Sequence, residues 1–405
     1  MTSDGPAGAG STSPWTVLVG AFLLNAAAGA YEIVPASVTP VAMESLGVGP
    51  VAAGWLVSVM FLTAVVASVP IGVALDRVDV DRLVAAATVT LVVAGLWGWQ
   101  AAAAGDYDAL FLSRILGGMA FVVIWNAGNV VVGAAFGAER RATAVGVFTA
   151  SAPAGFALGQ FSGPLVAGAV GWSAVFVVYG APALLGLGVY LLGGGHDAGD
   201  ADAPAPSLAD LGDVLTDRGV WIVSILGFLA YALYLFVNSW LPTYMTETST
   251  LTTAEIGLFV ALFPAMGALS RTSGGVISDR LFGARRRPVA LLSFAVTAPT
   301  FVAFVLTDEV VLLVGLLAVS GYFVQLGLGL FFSYAREIVA PTVASTAVSI
   351  LTAVGLFGAF ASPIGAGWLI DRTGSYPLAF GLATALTVVA VGLAWFAPRR
   401  SAAGG

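Results

Sequence analysis

The chain has 405 residues, of which 59% are hydrophobic and only 9% are charged. Soluble domains carry about 25% charged residues, so this composition excludes a soluble fold and indicates an integral membrane protein. The lack of cysteine and the single histidine exclude disulfides, thiol catalysis and the usual zinc sites, and no cofactor or enzymatic role is predicted. A net charge of −7 without a basic stripe argues against a nucleic-acid partner.

The charged residues have an unusual composition. All 15 basic residues are arginines, and the polar loops favour aspartate. This lysine-free, acidic style resembles that of extreme halophiles, so we expect the source to be a halophilic archaeon. Plain genomic bias is the alternative.

The chain begins with a polar segment, residues 1–14, that contains no arginine. A secretory signal needs a positive region before its apolar stretch, so we predict a short cytoplasmic tail here.

After this tail come twelve stretches that approach the length of about 20 mostly apolar residues needed to cross a bilayer. They are 15–37, 51–75, 83–103, 109–135, 143–169, 173–192, 219–242, 254–278, 288–306, 309–334, 343–369 and 376–397.

A segment rich in Gly, Ala, Pro and Asp, residues 193–218, divides these stretches six and six. It predicts a cytoplasmic linker between an N-terminal bundle, 15–192, and a C-terminal bundle, 219–397. The last residues, 398–405, form a second cytoplasmic tail. Because the number of spans is even, both termini are expected on the same side of the membrane.

The arginines predict which side that is. Arginine is concentrated in the loops that share a side with the termini, and only Arg372 falls in an opposite loop. This pattern predicts a multi-pass protein of the cell membrane with both termini cytoplasmic. The arginines on the predicted cytoplasmic side are Arg77, Arg82, Arg140, Arg141, Arg218, Arg280, Arg285, Arg286, Arg287, Arg336, Arg399 and Arg400.

The two halves repeat a motif after their second span. Gly72-Val-Ala-Leu-Asp76-Arg77 follows the second span, and Gly275-Val-Ile-Ser-Asp279-Arg280 follows the eighth. Such parallel six-helix repeats are typical of transporters. The loops resemble the Gly-x-x-x-Asp-Arg-x-Gly-Arg-Arg pattern of the major facilitator superfamily. The sequence resembles this family over nearly its whole length.

The resemblance implies a gate on the cytoplasmic side, where these loops lock the carrier when it faces outward. The second copy fits the pattern well, whereas in the first copy Asp79 stands where glycine is expected and Val80-Asp81 replaces the basic pair. Positive charges that only fix the topology are the alternative. The implied gating residues are Asp76, Arg77, Arg82, Asp279, Arg280, Arg285 and Arg286.

Arg271 lies within the eighth span, eight residues before Asp279. Ionisable groups inside a span are costly and usually face a cavity or a partner. Its guanidinium is a planar fork suited to carboxylate, nitrate or phosphate. The stretch from Arg271 to Arg280 resembles the eighth helix of the nitrate/nitrite and cyanate-type branches, which implies a small-anion site. The alternative is an arginine that only neutralises a carboxylate in the bundle.

Glu32 is the one acidic residue well inside a span. A buried carboxyl can carry a proton, so Glu32 is a candidate for ion or proton coupling, with Arg114 of the fourth span as its partner. An outer-vestibule charge paired with Arg114 is the alternative.

Uncharged polar and aromatic residues gather on spans one, four, seven and ten, which line the central cavity in the family. For each of them, hydrogen bonding between helices is the alternative to solute contact. The candidate solute-binding residues beside Arg271 are Trp125, Asn126, Tyr231, Tyr234 and Gln325.

Together these features predict a monomeric secondary carrier, with two six-helix bundles that rock around a midplane site by alternating access. The expected solute is a small anion, and an ion or proton gradient is the expected energy source. A drug or neutral-metabolite efflux carrier of the same fold is the main alternative. A polytopic membrane enzyme and a non-transporting sensor are more distant ones.

Overall fold

The computed structural model describes residues 13–75, 77–194, 212, 214–283, 285–307, 309–340 and 343–398. In this part of the chain, twelve helical segments are long and apolar enough to cross a membrane, which confirms the predicted all-α fold. Residues 1–12, most of the expected linker, Asp76 and the tail after residue 398 lie outside the described residues.

The described helices are numbered in chain order. In the first half they are α1 (Pro14–Ser37), α2 (Thr39–Leu46), α3 (Pro50–Leu75), α4 (Val80–Ala104), α5 (Tyr107–Ala135), α6 (Ala138–Val170), α7 (Val175–Gly180) and α8 (Ala183–Leu192). In the second half they are α9 (Arg218–Thr248), α10 (Thr253–Phe282), α11 (Arg286–Leu306), α12 (Val310–Glu337), α13 (Ala344–Thr373) and α14 (Tyr376–Trp395).

Polar residues at the helix starts explain several boundaries. The carboxylates of Asp79, Asp106 and Asp217 accept hydrogen bonds from main-chain N–H groups at the starts of α4, α5 and α9. Thr252 and Glu255 form a reciprocal capping box at the start of α10. Each of these caps satisfies donors that a helix start leaves unpaired, so the chain can turn sharply between long apolar segments.

Three predicted boundaries differ from the structure. The sixth span is divided into a 3₁₀ turn, Trp172–Ala174, followed by α7 and α8. Pro182 lies at the break, and proline lacks the N–H needed to continue the helical ladder. The loop after the first span contains the short helix α2, and the seventh span continues past Pro242 to Thr248.

The helices form two bundles, α1–α8 and α9–α14. We call the side on which α1 begins and α14 ends the terminal face, and the opposite side the α2 face. The bundles pack against each other chiefly through α3 with α13 and α6 with α10. An apolar cluster crosses this interface, because Ile33, Phe61 and Phe156 of the first bundle belong to the core of the second.

Glycines allow the closest helix crossings. A Cβ on Gly155 of α6 would lie 2.2 Å from the carbonyl oxygen of Ala26 of α1. A Cβ on Gly54 of α3 would lie 2.8 Å from the carbonyl oxygen of Pro363 of α13. Small residues at such crossings let helix backbones approach closely in the apolar interior.

Candidate functional site

Arg271 lies near the middle of α10 and joins the two bundles. Its Nε donates to Oε1 of Gln325 on α12 at 2.9 Å, and its Nη1 donates to the main-chain carbonyl of Thr149 on α6 at 3.1 Å. Among the described residues, no carboxylate forms an ion pair with it. The structure therefore holds Arg271 by neutral oxygens, and the bundle ion pair considered as its alternative role is not formed within the described part of the chain.

Gln325 and the tyrosines of α9 surround Arg271 with further polar groups. The hydroxyl of Tyr234 lies near Gln325. Both this hydroxyl and Nε2 of Gln325 are buried, and they interact with each other. Tyr231 and Tyr234 lie close enough to feel the charges of both Arg271 and Glu32. The predicted residues Arg271, Tyr231, Tyr234 and Gln325 are thus brought together.

A stack of aromatic rings closes this site towards the α2 face. The ring of Tyr234 stacks on Phe156 of α6 at 5.5 Å between centroids and on Phe263 of α10 at 5.7 Å. Phe156 follows Thr149 and Phe263 precedes Arg271, so on both helices the ring is about two turns nearer the α2 face. The stack joins the bundles and separates the Arg271 region from that face.

Arg114 is fully buried and binds main-chain oxygens of two helices. Its Nε donates to the carbonyl of Leu56 at 2.8 Å, Nη1 donates to the carbonyl of Tyr31 at 2.8 Å, and Nη2 donates to the carbonyl of Glu32 at 2.5 Å. The guanidinium also lies over the ring of Tyr31, 4.6 Å from its centroid. Arg114 therefore clamps α5 onto α1 and α3.

Glu32 is 1% exposed, and its contact with Arg114 differs from the expected one. Arg114 reaches the main-chain carbonyl of Glu32, and the two side chains form no ion pair. Oε1 of Glu32 is buried without a hydrogen-bond partner among the described residues. Arg114 thus uses its hydrogen bonds on main-chain carbonyls, while the charge of Glu32 acts on Tyr231 and Tyr234 of α9.

Trp125 and Asn126 are placed apart from this cluster. Trp125 packs on Phe148 within the first bundle, with 5.7 Å between ring centroids. Asn126 is partly buried, and the described contacts join neither residue to Arg271. Their predicted role in solute binding stays a prediction.

The gating residues that the structure describes lie at the terminal face. The side chains of Asp76 and Asp279 lie outside the described residues. Arg286 forms an ion pair with Glu337 at 2.7 Å and donates to Oγ of Ser278 at 2.8 Å. The remaining gating candidates are all exposed: Arg77, Arg82, Arg280 and Arg285.

Sequence reasoning missed Thr149, Phe156 and Gln160. Nε2 of Gln160 on α6 donates to the main-chain carbonyl of Asn238 on α9 at 2.6 Å, a second hydrogen bond between the bundles. One sequence signal could have found both inter-bundle acceptors. Each lies four residues before a proline inside a helix, and proline leaves that carbonyl without its helical donor.

Comparisons with known proteins agree with this architecture. The sequence model of the family described as Major Facilitator Superfamily matches residues 17–335 and 245–405. A probable sulfoacetate transporter of Cupriavidus necator is 26% identical over 72% of this chain and 78% of that protein. A probable nitrate transporter of Staphylococcus carnosus is 25% identical over 61% of this chain and 62% of that protein.

Solved structures show the same fold. The crystal structure of a bacterial homologue of the human lysosomal transporter Spinster, inward-facing and unoccupied, aligns with a TM-score of 0.79 at 16% identity. The alignment covers 96% of this chain and 98% of that one.

Proposed function

Because this chain belongs to the Major Facilitator Superfamily, we propose that it is a secondary active transporter of a small anionic solute, with Arg271 as the solute's counter-charge. The main observation in support is that Arg271 is half-buried near the middle of the molecule and that no described carboxylate neutralises it. A cation costs several kcal/mol inside a membrane, about 2.5–3.5 even on lenient scales, so a functional partner is expected for it.

The chemistry around Arg271 favours an oxyanion. A guanidinium offers a planar fork of donors, and charge-assisted bonds to carboxylate, sulfonate or nitrate oxygens are stronger than bonds to neutral groups. The hydroxyl of Tyr234 and Nε2 of Gln325 are further donors close to the guanidinium. The relatives named for sulfoacetate and nitrate support this solute class, and the nitrate/nitrite branch remains our preferred placement.

We further propose that the terminal face is cytoplasmic, because most arginines outside the spans lie there. The hydrogen bonds and ring contacts between the bundles in the described residues lie from the middle of the molecule to the α2 face. In that orientation, this conformation is closed to the outside of the cell. Alternating access would then break these contacts and close the bundles at the terminal face, where the arginine loops would act as the gate.

Glu32 is proposed as the coupling residue and Arg114 as its support. A buried carboxyl without a cation partner can take up and release a proton, and Glu32 shares the α9 tyrosines with the solute site. The lysine-free composition supports a halophilic archaeon as the source, in which another cation could serve in place of protons.

Efflux of an amphipathic drug or neutral metabolite is the second candidate function. The stack of Phe156, Tyr234 and Phe263 favours it, because aromatic faces bind apolar bodies without needing a charge. In that case, Arg271→Ala would leave transport nearly unchanged.

Uptake into proteoliposomes tests the anion proposal with nitrate, sulfoacetate, a sugar and a drug as probes. For a carried anion, we expect Arg271→Ala to raise KM by about ten- to a hundredfold, which is the size of one charge-assisted hydrogen bond. Arg218→Ala is the matched control, since Arg218 is exposed at the start of α9. Anion uptake by Arg271→Ala at the wild-type KM would refute the role of Arg271.

A further inference from the structure

The hydrogen bond between Arg271 and Thr149 depends on a proline. Pro153 lies inside α6, and it has no N–H to donate to the carbonyl four residues earlier. That carbonyl belongs to Thr149, and Nη1 of Arg271 supplies the missing donor at 3.1 Å from the other bundle. An unpaired carbonyl in the apolar interior would cost free energy, so both partners gain from the contact.

The same arrangement occurs at two other helices. Pro35 frees the carbonyl of Tyr31, which accepts from Arg114, and Pro242 frees the carbonyl of Asn238, which accepts from Gln160. In each case a polar side chain from a different helix replaces the donor that proline lacks. Arg271 differs from Arg114 in being only partly buried.

We propose that Pro153 is a positioning residue that sets the affinity of the solute site. This inference depends on the proposed role of Arg271 in binding the solute. The Thr149 carbonyl holds Arg271 while the site is empty, and an oxygen of the entering anion displaces it. Since the same hydrogen bond ties α10 to α6, solute entry also releases a tie between the bundles.

Because the Thr149 carbonyl competes for Arg271, a solute must form a stronger bond to the guanidinium than this carbonyl does in order to bind. A neutral solute oxygen gains little by replacing the neutral Thr149 carbonyl on Arg271, because one ordinary hydrogen bond is exchanged for another. An anionic oxygen forms a stronger, charge-assisted bond and therefore wins the exchange. The Thr149 carbonyl thus lowers the affinity of every solute that displaces it by the same factor, and only a solute with a stronger bond to Arg271 gains from the exchange.

Pro153→Ala tests this inference, because it restores the N–H that pairs the Thr149 carbonyl within α6. With nitrate and sulfoacetate as probes, we expect KM to fall by about three- to tenfold, which is the range of one interhelical hydrogen bond in a membrane protein. Pro299→Ala, at an exposed helical proline of α11, is the matched control and should leave KM unchanged. Pro153→Ser restores the same N–H with a different side chain and guards against a defect specific to alanine.

A double-mutant cycle without solute separates this inference from the proposed function. The apparent melting temperatures of Pro153→Ala, Arg271→Ala and the double variant should be non-additive, since both changes remove one hydrogen bond. Additive shifts together with an unchanged KM in both Pro153 variants would overturn the inference. If Arg271→Ala left anion uptake intact while the melting shifts were non-additive, the tie would stand and the proposed function would fail.

Discussion

Arg114 and Arg271, the intramembrane arginines, bind main-chain carbonyls in the described structure. Carbonyl dipoles satisfy the N–H donors but do not cancel a full charge. A neighbouring carboxylate would accept the hydrogen bonds and also neutralise the charge, and it would repel an approaching anion. The positive charge of Arg271 is therefore available to a solute, and that of Arg114 acts at short range on Glu32.

Glu32→Gln keeps the shape of the side chain but cannot release a proton. If Glu32 couples transport to protons, nitrate or sulfoacetate uptake by this variant should no longer respond to an imposed pH gradient, whereas solute exchange without a gradient should persist. Uptake into proteoliposomes with and without the gradient measures both. Glu44→Gln, at an exposed residue of α2, is the control. A wild-type response of Glu32→Gln to the gradient would contradict the coupling role.

At the scale of helices, hydropathy predicts the spans well because each must be apolar along its length. Hydropathy does not predict the end of a helix where backbone hydrogen bonds determine whether the helix continues. The predicted end of the seventh span at 242 is wrong because Gln160 satisfies the carbonyl that Pro242 frees, so α9 continues. Arg271, Tyr234 and Gln325 were found because polar residues are rare in spans. Thr149 was missed because its acting group is a main-chain atom that every residue possesses.

The crossing of α1 and α6 allows a prediction about helix packing. Gly155→Ala should destabilise the protein by about 1–3 kcal/mol, because the new Cβ overlaps the Ala26 carbonyl and forces the helices apart. Gly146→Ala on the same helix meets no atom within 4 Å and should be neutral or slightly stabilising. Thermal unfolding in detergent compares the two. Equal melting temperatures for both variants would show that the crossing tolerates a methyl group.

For the whole molecule, the two bundles are joined more closely towards the α2 face than at the terminal face. A Cβ on Gly49 would lie 3.5 Å from Oδ1 of Asp371, and Trp55 packs on Phe360 at 5.5 Å between centroids, both across the interface. In contrast, a Cβ on Gly72 or Gly146, nearer the terminal face, would meet nothing within 4 Å. Transport by alternating access requires the α2-face contacts to separate in each cycle.

The absence of cysteine makes this separation testable without removing native thiols. A disulfide in the Gly49→Cys/Asp371→Cys variant should stop uptake, and its reduction should restore it. Gly98→Cys/Ser113→Cys, a close pair within the first bundle, is the control whose oxidation should leave uptake unchanged. Full uptake by the oxidised interface pair, with the crosslink verified by gel mobility, would contradict a separation at this face.

The proline-freed carbonyls also shape how this protein tolerates mutation. The acceptor atoms at Thr149 and Asn238 belong to the backbone, so an exchange of either side chain leaves them in place. These two hydrogen bonds therefore depend on the side chains of the donors Arg271 and Gln160, and on Pro153 and Pro242, which take no direct part in either bond. In a saturation mutagenesis screen scored by KM, substitutions of the partly buried Thr149 should change KM less than substitutions of Pro153, the reverse of what a map of side-chain contacts would indicate.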